Sequence, residues 1–472
     1  MNMKITKYLL TVTLLSIMTS CDTDIVPRGQ SVLDTAEELE YLFNSLKISE
    51  KPATNLGVVV NEDYDVLAGV RPVKTQISNE NTLAAAYLTY NESTDRNALN
   101  TTDSRYVSLY KNINSFNIII AKADGSKGDA ILKTRIKAEA HLMRAYMYYL
   151  VAGIYAAQYT PEAASGTGGI VYTTSYDASP KPQLTLDKVW ENILADCNDE
   201  YINALPDEAP YNRCSKATGN AIKAKVLFQM KRYDEALAYA REALRLNSTI
   251  EDRRTIEETV RWKLTYDSPN NLIYIPETYP FRAGLVYEKL SLETAELFEP
   301  GDMVRYYGYD ASKPSPGDEL WSEDGYYYSG VRGCLIFQSG TVYDNTWGIT
   351  VERTMYLAAE CLIRTGCIQE GMDIINTIRE NRIHASIFQP LEASGENEAM
   401  AILQRAKFIE NLGSYENFFD RKRWNSEDKY KSVITRTIPG LGQWSIQPDS
   451  KLWIMPMPVQ VFQNNPGVTS NI

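Results

Sequence analysis

The chain is predicted to be all-α, a scaffold of about four helical hairpins with an irregular, loop-rich, aromatic subdomain. Three observations predict this. Apolar residues recur at helical spacing in paired runs joined by short polar turns. Two long stretches, near 50–104 and 249–349, break that period with Gly, Pro, Asn and Asp. Tyrosine is abundant, 32 of 472 residues beside 11 Phe and 7 Trp, more than a core needs, and its ring-plus-hydroxyl suits a wet binding surface.

In chain order, 34–46 reads as a helix, and 55–100 as a folded, loop-rich segment without sustained periodicity. The first hairpin, near 105–156, pairs Tyr106, Tyr110, Ile113, Asn117 and Ile120 with Ala140, Met143, Met147, Leu150 and Ile154 across a Gly- and Asp-rich turn at 123–129. The second, near 187–247, sets Ala221, Ala224 and Phe228 against Ala236, Leu237, Ala240, Ala243 and Leu244. Small residues at contact positions let two helices approach closely. Ala224, Tyr233, Ala236 and Ala240 match the small and large apolar positions of a tetratricopeptide unit. A third hairpin, near 350–382, turns at Gly366, and a fourth, near 398–425, turns at Gly413. A tandem array would keep a period of about 34 residues; these units are irregularly spaced, so insertions interrupt them. The tail 453–472 is punctuated by proline and is expected to pack by contacts.

The N-terminus reads as an export signal. Lys4 and Lys7 precede an apolar run at 8–18, too short to span a bilayer. Thr19 and Ser20 lead into Cys21, which resembles a bacterial lipobox with Met18 where Leu is preferred. Residues 1–20 are therefore expected to be a signal peptide, Cys21 the lipidated first residue, and 21–31 a flexible tether before a single domain at 32–472. Composition excludes several functions. A formal charge of −12 without a Lys/Arg cluster disfavours nucleic acid. Five further cysteines lack CxxC spacing and read as buried thiols. Two distant histidines, His141 and His384, offer no metal-ligand spacing, and no metal or cofactor is expected.

Several segments in order resemble the SusD/RagB family of outer-membrane nutrient-binding lipoproteins. Tyr110-Lys-Asn-Ile113 with Asn117 and the run 144–155 look like its first two helices. Tyr356-Leu-Ala-Ala-Glu360 with Asn376 and Arg379 resembles the next pair, and Glu410 followed by Phe419-Asp420-Arg421-Lys-Arg-Trp424 a later element. There Gly413-Ser-Tyr415 departs from the family's Gly-x-Arg. Met455-Pro-Met-Pro458 and Asn465-Pro-Gly467 match the closing signature, without its acidic residue. The resemblance implies a tetratricopeptide-like scaffold with an irregular binding subdomain. It also implies an oligosaccharide ligand, or another nutrient, and a SusC-like TonB-dependent transporter that the lipoprotein caps. Asp22 and Asp24 resemble the acidic surface-export signal of that bacterial lineage, so the expected location is the outer membrane, lipid-anchored and facing outward.

The run 144–155 and the knot of Asp420, Arg421, Arg423 and Trp424 read as packing. Trp321 with the triplet Tyr326, Tyr327 and Tyr328 reads differently, because neighbours in an extended segment point to opposite faces and one ring stays exposed. Such a ring stacks on the C–H face of a sugar or packs a loop; both readings stand. Tyr64, Arg71, Tyr87 and Tyr90, in the other irregular region, are further ligand candidates. Enzyme signals are poor. Gly166, Gly168 and Gly169 form a loop without a dinucleotide-binding context, a glycosidase carboxylate pair has no sequence signature, and Asp124 with Asp129 reads as a solvated turn. The expected function is therefore capture without chemistry. The rivals are a peptide-binding relative, an all-helical glycoside hydrolase and a periplasmic repeat scaffold.

Overall fold

The structure, a computed structural model, describes residues 33–46, 48, 55–62, 73–162, 164–166, 168–252, 254, 268–275, 291–302, 345–438 and 440–472. Its frame consists of the helices of ten or more residues among them. These are α1 (Ser104–Lys122), α2 (Ala130–Tyr155), α3 (Leu186–Asp196), α4 (Lys216–Gln229), α5 (Tyr233–Leu246), α6 (Val351–Arg364), α7 (Ile368–Glu380), α8 (Glu396–Glu410) and α9 (Glu416–Asn425). α1 pairs with α2, α4 with α5 and α6 with α7, as the spacing of apolar residues predicts.

Local chemistry sets the ends. Asp103 caps α1 through the N–H groups of Arg105 and Tyr106, Asp129 caps α2 at Leu132, and Thr350 caps α6 at Arg353; each answers an orphan donor of a first helical turn. Gly366 and Gly413 turn the chain at φ +88° and +79°, in the left-handed region that favours glycine. α2 is the central helix, buried almost all round from Ala138 to Tyr155. Its polar residues are therefore bound. Arg144 lies between Asp196 (Nε to Oδ2, 2.7 Å) and Asn117 (2.8 Å), and His141 meets Asp196 at 2.7 Å with its ring stacked on Tyr201. Burial pushes the Asp196 carboxyl up, but hydrogen bonds from His141 and Arg144 and the Arg144 charge outweigh it and hold it below its ordinary value.

A fully buried charge knot joins the units. Glu360 on α6 accepts from both guanidinium amino groups of Arg423 on α9 (2.6 and 2.8 Å) and from the Trp424 indole (2.9 Å). Asp420 bridges Arg423 and Lys407. The expectation that Asp420, Arg423 and Trp424 tie the last hairpin to its neighbours is met. α9, however, does not pack along α8 as the fourth predicted hairpin requires; instead Phe419 fills the space over Gly153 of α2, and Lys422 donates to the carbonyls of Gly153 (2.8 Å) and Ala156 (2.5 Å) at the α2 C-terminus.

Two expectations need correction. The segment 55–100 is not mainly loop; where described it holds the short helices Leu56–Val59, Val73–Ser78, Leu83–Leu88 and Arg96–Leu99, each too brief to show a period. Strand pairing also exceeds expectation, in three two-stranded antiparallel sheets among the described residues. Gly168–Val171 pairs with Gln183–Thr185, so the glycine-rich loop is partly a strand, and Ile434–Ile438 forms a hairpin with Gly442–Ile446. Cys197, Cys214 and Cys361 are buried thiols and Cys367 is exposed, all unpaired. Asp129 is the α2 cap, and Asp124 pairs with Lys137. No helix among the described residues is long and apolar enough to cross a membrane.

Candidate ligand-binding site

Of the residues singled out for function, Cys21, Tyr64, Arg71, Trp321, Tyr326, Tyr327 and Tyr328 lie outside the described residues. Tyr87 and Tyr90 are described, and both are in the core, 0% and 7% exposed. They are corrected from ligand rings to packing residues. The Tyr87 hydroxyl accepts from Arg96 (2.8 Å) and the Tyr90 hydroxyl donates to the Val59 carbonyl (3.2 Å). Burial pushes the Tyr90 phenol up to about 12 against the opposing pull of Arg436.

What the structure resolves is where the irregular regions are rooted. Residue 62, which precedes Tyr64 and Arg71, meets residue 291, to which the insertion returns: Ser291 N–H donates to the Glu62 carbonyl (2.9 Å), and Thr294 Oγ1 to the Asn61 carbonyl (2.8 Å). Asn61 holds a left-handed φ of +63° and is 2% exposed. Its amide donates to Glu293 (3.0 Å) and the Thr435 carbonyl (3.1 Å), and its Oδ1 accepts from Arg436 Nε (2.9 Å). Arg436, 0% exposed, also donates to the carbonyls of Val58, Tyr87 and Leu88 and covers the Tyr90 ring at 4.5 Å. A guanidinium that answers several carbonyls fixes their backbone rigidly.

A second root lies where 275 leaves and 345 returns. Asn345 accepts from Ile275 N–H (2.9 Å) and donates to the Ile273 carbonyl (2.9 Å) and Asn271 (2.8 Å). Arg353 Nη1 draws in the carbonyls of Asn345 (2.7 Å) and Gly348 (2.8 Å). Trp347 stacks on Tyr415 at 5.8 Å and 3°, and the Tyr146 hydroxyl donates to the Trp347 carbonyl (2.6 Å). The turn between α8 and α9 connects the roots: Gly413 N–H donates to Glu62 Oε2 (3.0 Å), Asn417 to Glu62 Oε1 (2.8 Å), and two residues past Gly413 the Tyr415 ring meets Trp347. Tyr415, the residue that departs from the family's Gly-x-Arg, thus sits beneath the second root. The chain also enters the long insertion at Asp302, bridged to Ile383, with His384 N–H on the Gly301 carbonyl (2.9 Å).

One exposed ring borders the second root. Tyr211, 43% exposed, makes an edge contact with Tyr274 at 6.1 Å, and its carbonyl accepts Tyr274 N–H (2.7 Å). Sequence reasoning missed it, although Pro210 beforehand marks a turn able to present a side chain outward. Asn61 and Arg436 were missed because their partners lie hundreds of residues away.

Residues 37–228 match the SusD-like family described as starch-binding and associating with outer membrane. Among curated proteins none matches the sequence. The fold is similar to that of a SusD superfamily protein from Bacteroides thetaiotaomicron (TM-score 0.68, 15% identity, 93% of this chain and 100% of that one). It is similar also to a SusD-like carbohydrate binding protein from Bacteroides vulgatus (TM-score 0.63, 14%, 93% and 98%). The family match is confined to residues 37–228, and over nearly the whole chain the likeness to these structures is one of fold.

Proposed function

We propose that the protein is a non-catalytic lipoprotein of the outer membrane, held outward-facing by acyl chains on Cys21, that captures an oligosaccharide and delivers it to a TonB-dependent transporter. The observation that carries this reading is the common rooting of the two aromatic, irregular regions: Glu62 and Trp347 are joined through Gly413 and Tyr415. In sequence, Tyr64 and Arg71 follow the first root and Trp321 with Tyr326 to Tyr328 precede the second, which the exposed Tyr211 borders. Aromatic rings stack on sugar faces while nearby amides and carboxylates bind hydroxyls. The family description, starch-binding and associating with outer membrane, supports the ligand class and the location. The non-catalytic reading is supported by seven of the buried carboxylates, since Glu139, Asp196, Glu352, Glu360, Glu410, Glu416 and Asp420 are each held by Arg or Lys. None of these is poised as a general acid.

Isothermal titration against glycan and peptide panels tests the reading. Binding of an oligosaccharide, weakened by Trp321→Ala or Tyr211→Ala, is the expected result. Binding of peptides alone would replace the ligand class, and release of product from a bound oligosaccharide would replace the non-catalytic role.

A further inference from the structure

The turn between α1 and α2 has two halves of different character. Its second half is tied down. Ser126 N–H and Oγ both donate to the Ala123 carbonyl (3.3 and 2.8 Å), and Lys133 Nζ donates to the Ser126 carbonyl (3.1 Å). Lys127 exchanges two backbone bonds with the N-terminal segment, donating to the Asp34 carbonyl and accepting from Ala36 N–H, both at 2.8 Å. The first half, Asp124 and Gly125, lies past the Ala123 cap of α1 and is open. The Asp124 side chain is 76% exposed and pairs with Lys137 of α2 at 2.5 Å. Gly125 N–H donates to no backbone carbonyl among the described residues. A Cβ built on Gly125 would meet the Lys122 carbonyl alone, at 3.9 Å.

An aspartate followed by glycine is set up to react with itself. The next residue's nitrogen, the carbonyl carbon, Cα, Cβ and Cγ already form an open five-membered ring, and rotations of the aspartate alone bring its ends together. Glycine leaves that nitrogen unhindered and the backbone free to turn. An amide inside a helix is held back by its hydrogen bond, but the Gly125 amide has no such hold.

We propose that Asp124 and Gly125 form a site of spontaneous covalent modification, where aspartate converts to isoaspartate, and that Lys137 guards it. Gly125 N attacks Cγ of the protonated Asp124 carboxyl. The N–Cγ bond forms, and the carboxyl hydroxyl leaves with the amide hydrogen as water. Water then adds to the former main-chain carbonyl carbon of the ring and breaks its bond to nitrogen. The chain now runs through Cγ, one methylene longer, and the former main-chain carbonyl is a free carboxylate. Mass and net charge are unchanged, and water is the sole co-reactant. Closure consumes the carboxylate that Lys137 holds, so the ion pair has to break first. The longer backbone enters a turn whose other half clamps residues 34 and 36, and the bonds of Lys127 to Asp34 and Ala36 should loosen. The change thus acts on the seat of the N-terminal segment, whatever the ligand of the protein is.

Ageing the full chain at neutral pH and body temperature tests this, with electron-transfer fragmentation of the tryptic peptide 123–127 to read isoaspartate. Asp324 and Gly325, the other Asp-Gly pair of the sequence, are the internal reference. Isoaspartate should accumulate at 124, about threefold faster in Lys137→Met as expected for loss of an exposed ion pair, with residue 324 unaffected. Asp124→Glu, which would have to close a larger ring, should stay unmodified at 124. The aged wild type should lose hydrogen-exchange protection at the Lys127 and Ala36 amides, and aged Asp124→Glu should keep it. No isoaspartate at 124 while the free peptide of residues 123–127 converts overturns the site. An equal rate in Lys137→Met overturns the guard, and undiminished protection in the modified chain overturns the link to the N-terminal segment.

Discussion

At the scale of single residues, Glu360 and Lys422 show how burial decides the value of a charge. Glu360 is fully enclosed, which pushes its carboxyl up, but Arg423, Arg364 and Lys407 outweigh burial and hold it far below the usual range. A carboxyl depressed by folding contributes stability above its unfolded pKa, and that contribution is lost as pH falls below about 4.5. Glu360→Gln strands Arg423 without its counter-charge. We expect a loss of about 3–5 kcal/mol in urea unfolding, shrinking when the two proteins are compared below pH 4. Lys422 is the opposite case. It has carbonyl partners and no acid, and burial lowers its pKa to about 7. Between pH 7 and its unfolded value near 10.5 the unfolded chain binds the extra proton, so stability rises with pH across that window. Lys422→Met should flatten the rise between pH 7 and 9.5 in thermal melts; an unchanged slope would show that the two carbonyls and the α2 C-terminus keep the amine charged.

At the scale of elements, closeness of approach governs. A Cβ on Gly153 would lie 2.1 Å from the Phe419 ring, and Gly153 is where α9 crosses α2. Gly153→Ala should cost roughly 1–3 kcal/mol by overpacking, and Phe419→Leu in the same chain should return part of it, which a double-mutant cycle in denaturant measures. The pairs α1 with α2, α4 with α5 and α6 with α7 were legible in the sequence, since a stripe at steps of three and four survives any neighbour. The hairpin Ile434–Ile438 with Gly442–Ile446 was not, because five-residue strands give too few alternations to read. Neither were the helices between 56 and 99, of four to six residues. The site was legible by region only. Tyr87 and Tyr90 have the composition of a binding loop, yet helix Leu83–Leu88 and the left-handed turn at Tyr90 (φ +47°) carry them inward. Arg436 decides that path, and nothing within 340 residues of it in sequence points to its partners at 58, 87 and 88.

At the scale of the whole molecule, the proposed anchor and the body are expected to act separately. The first described residues are bridged at Thr35 to Lys127, in the turn between α1 and α2, whereas the roots of the irregular regions lie at Glu62, Ser291 and Asn345. Cys21→Ala should therefore leave oligosaccharide affinity unchanged by calorimetry while abolishing uptake by cells. Equal uptake by the variant would refute the tethered role.

The bonds made by Asn61, Arg436 and Arg353 are mostly to backbone carbonyls. A socket of that kind recognises the stem of a graft and ignores its tip. We expect exchange of the side chains in 63–72 to leave these stem bonds, and with them the melting temperature of the frame, unchanged. One scaffold can thereby diversify its ligands by swapping cassettes.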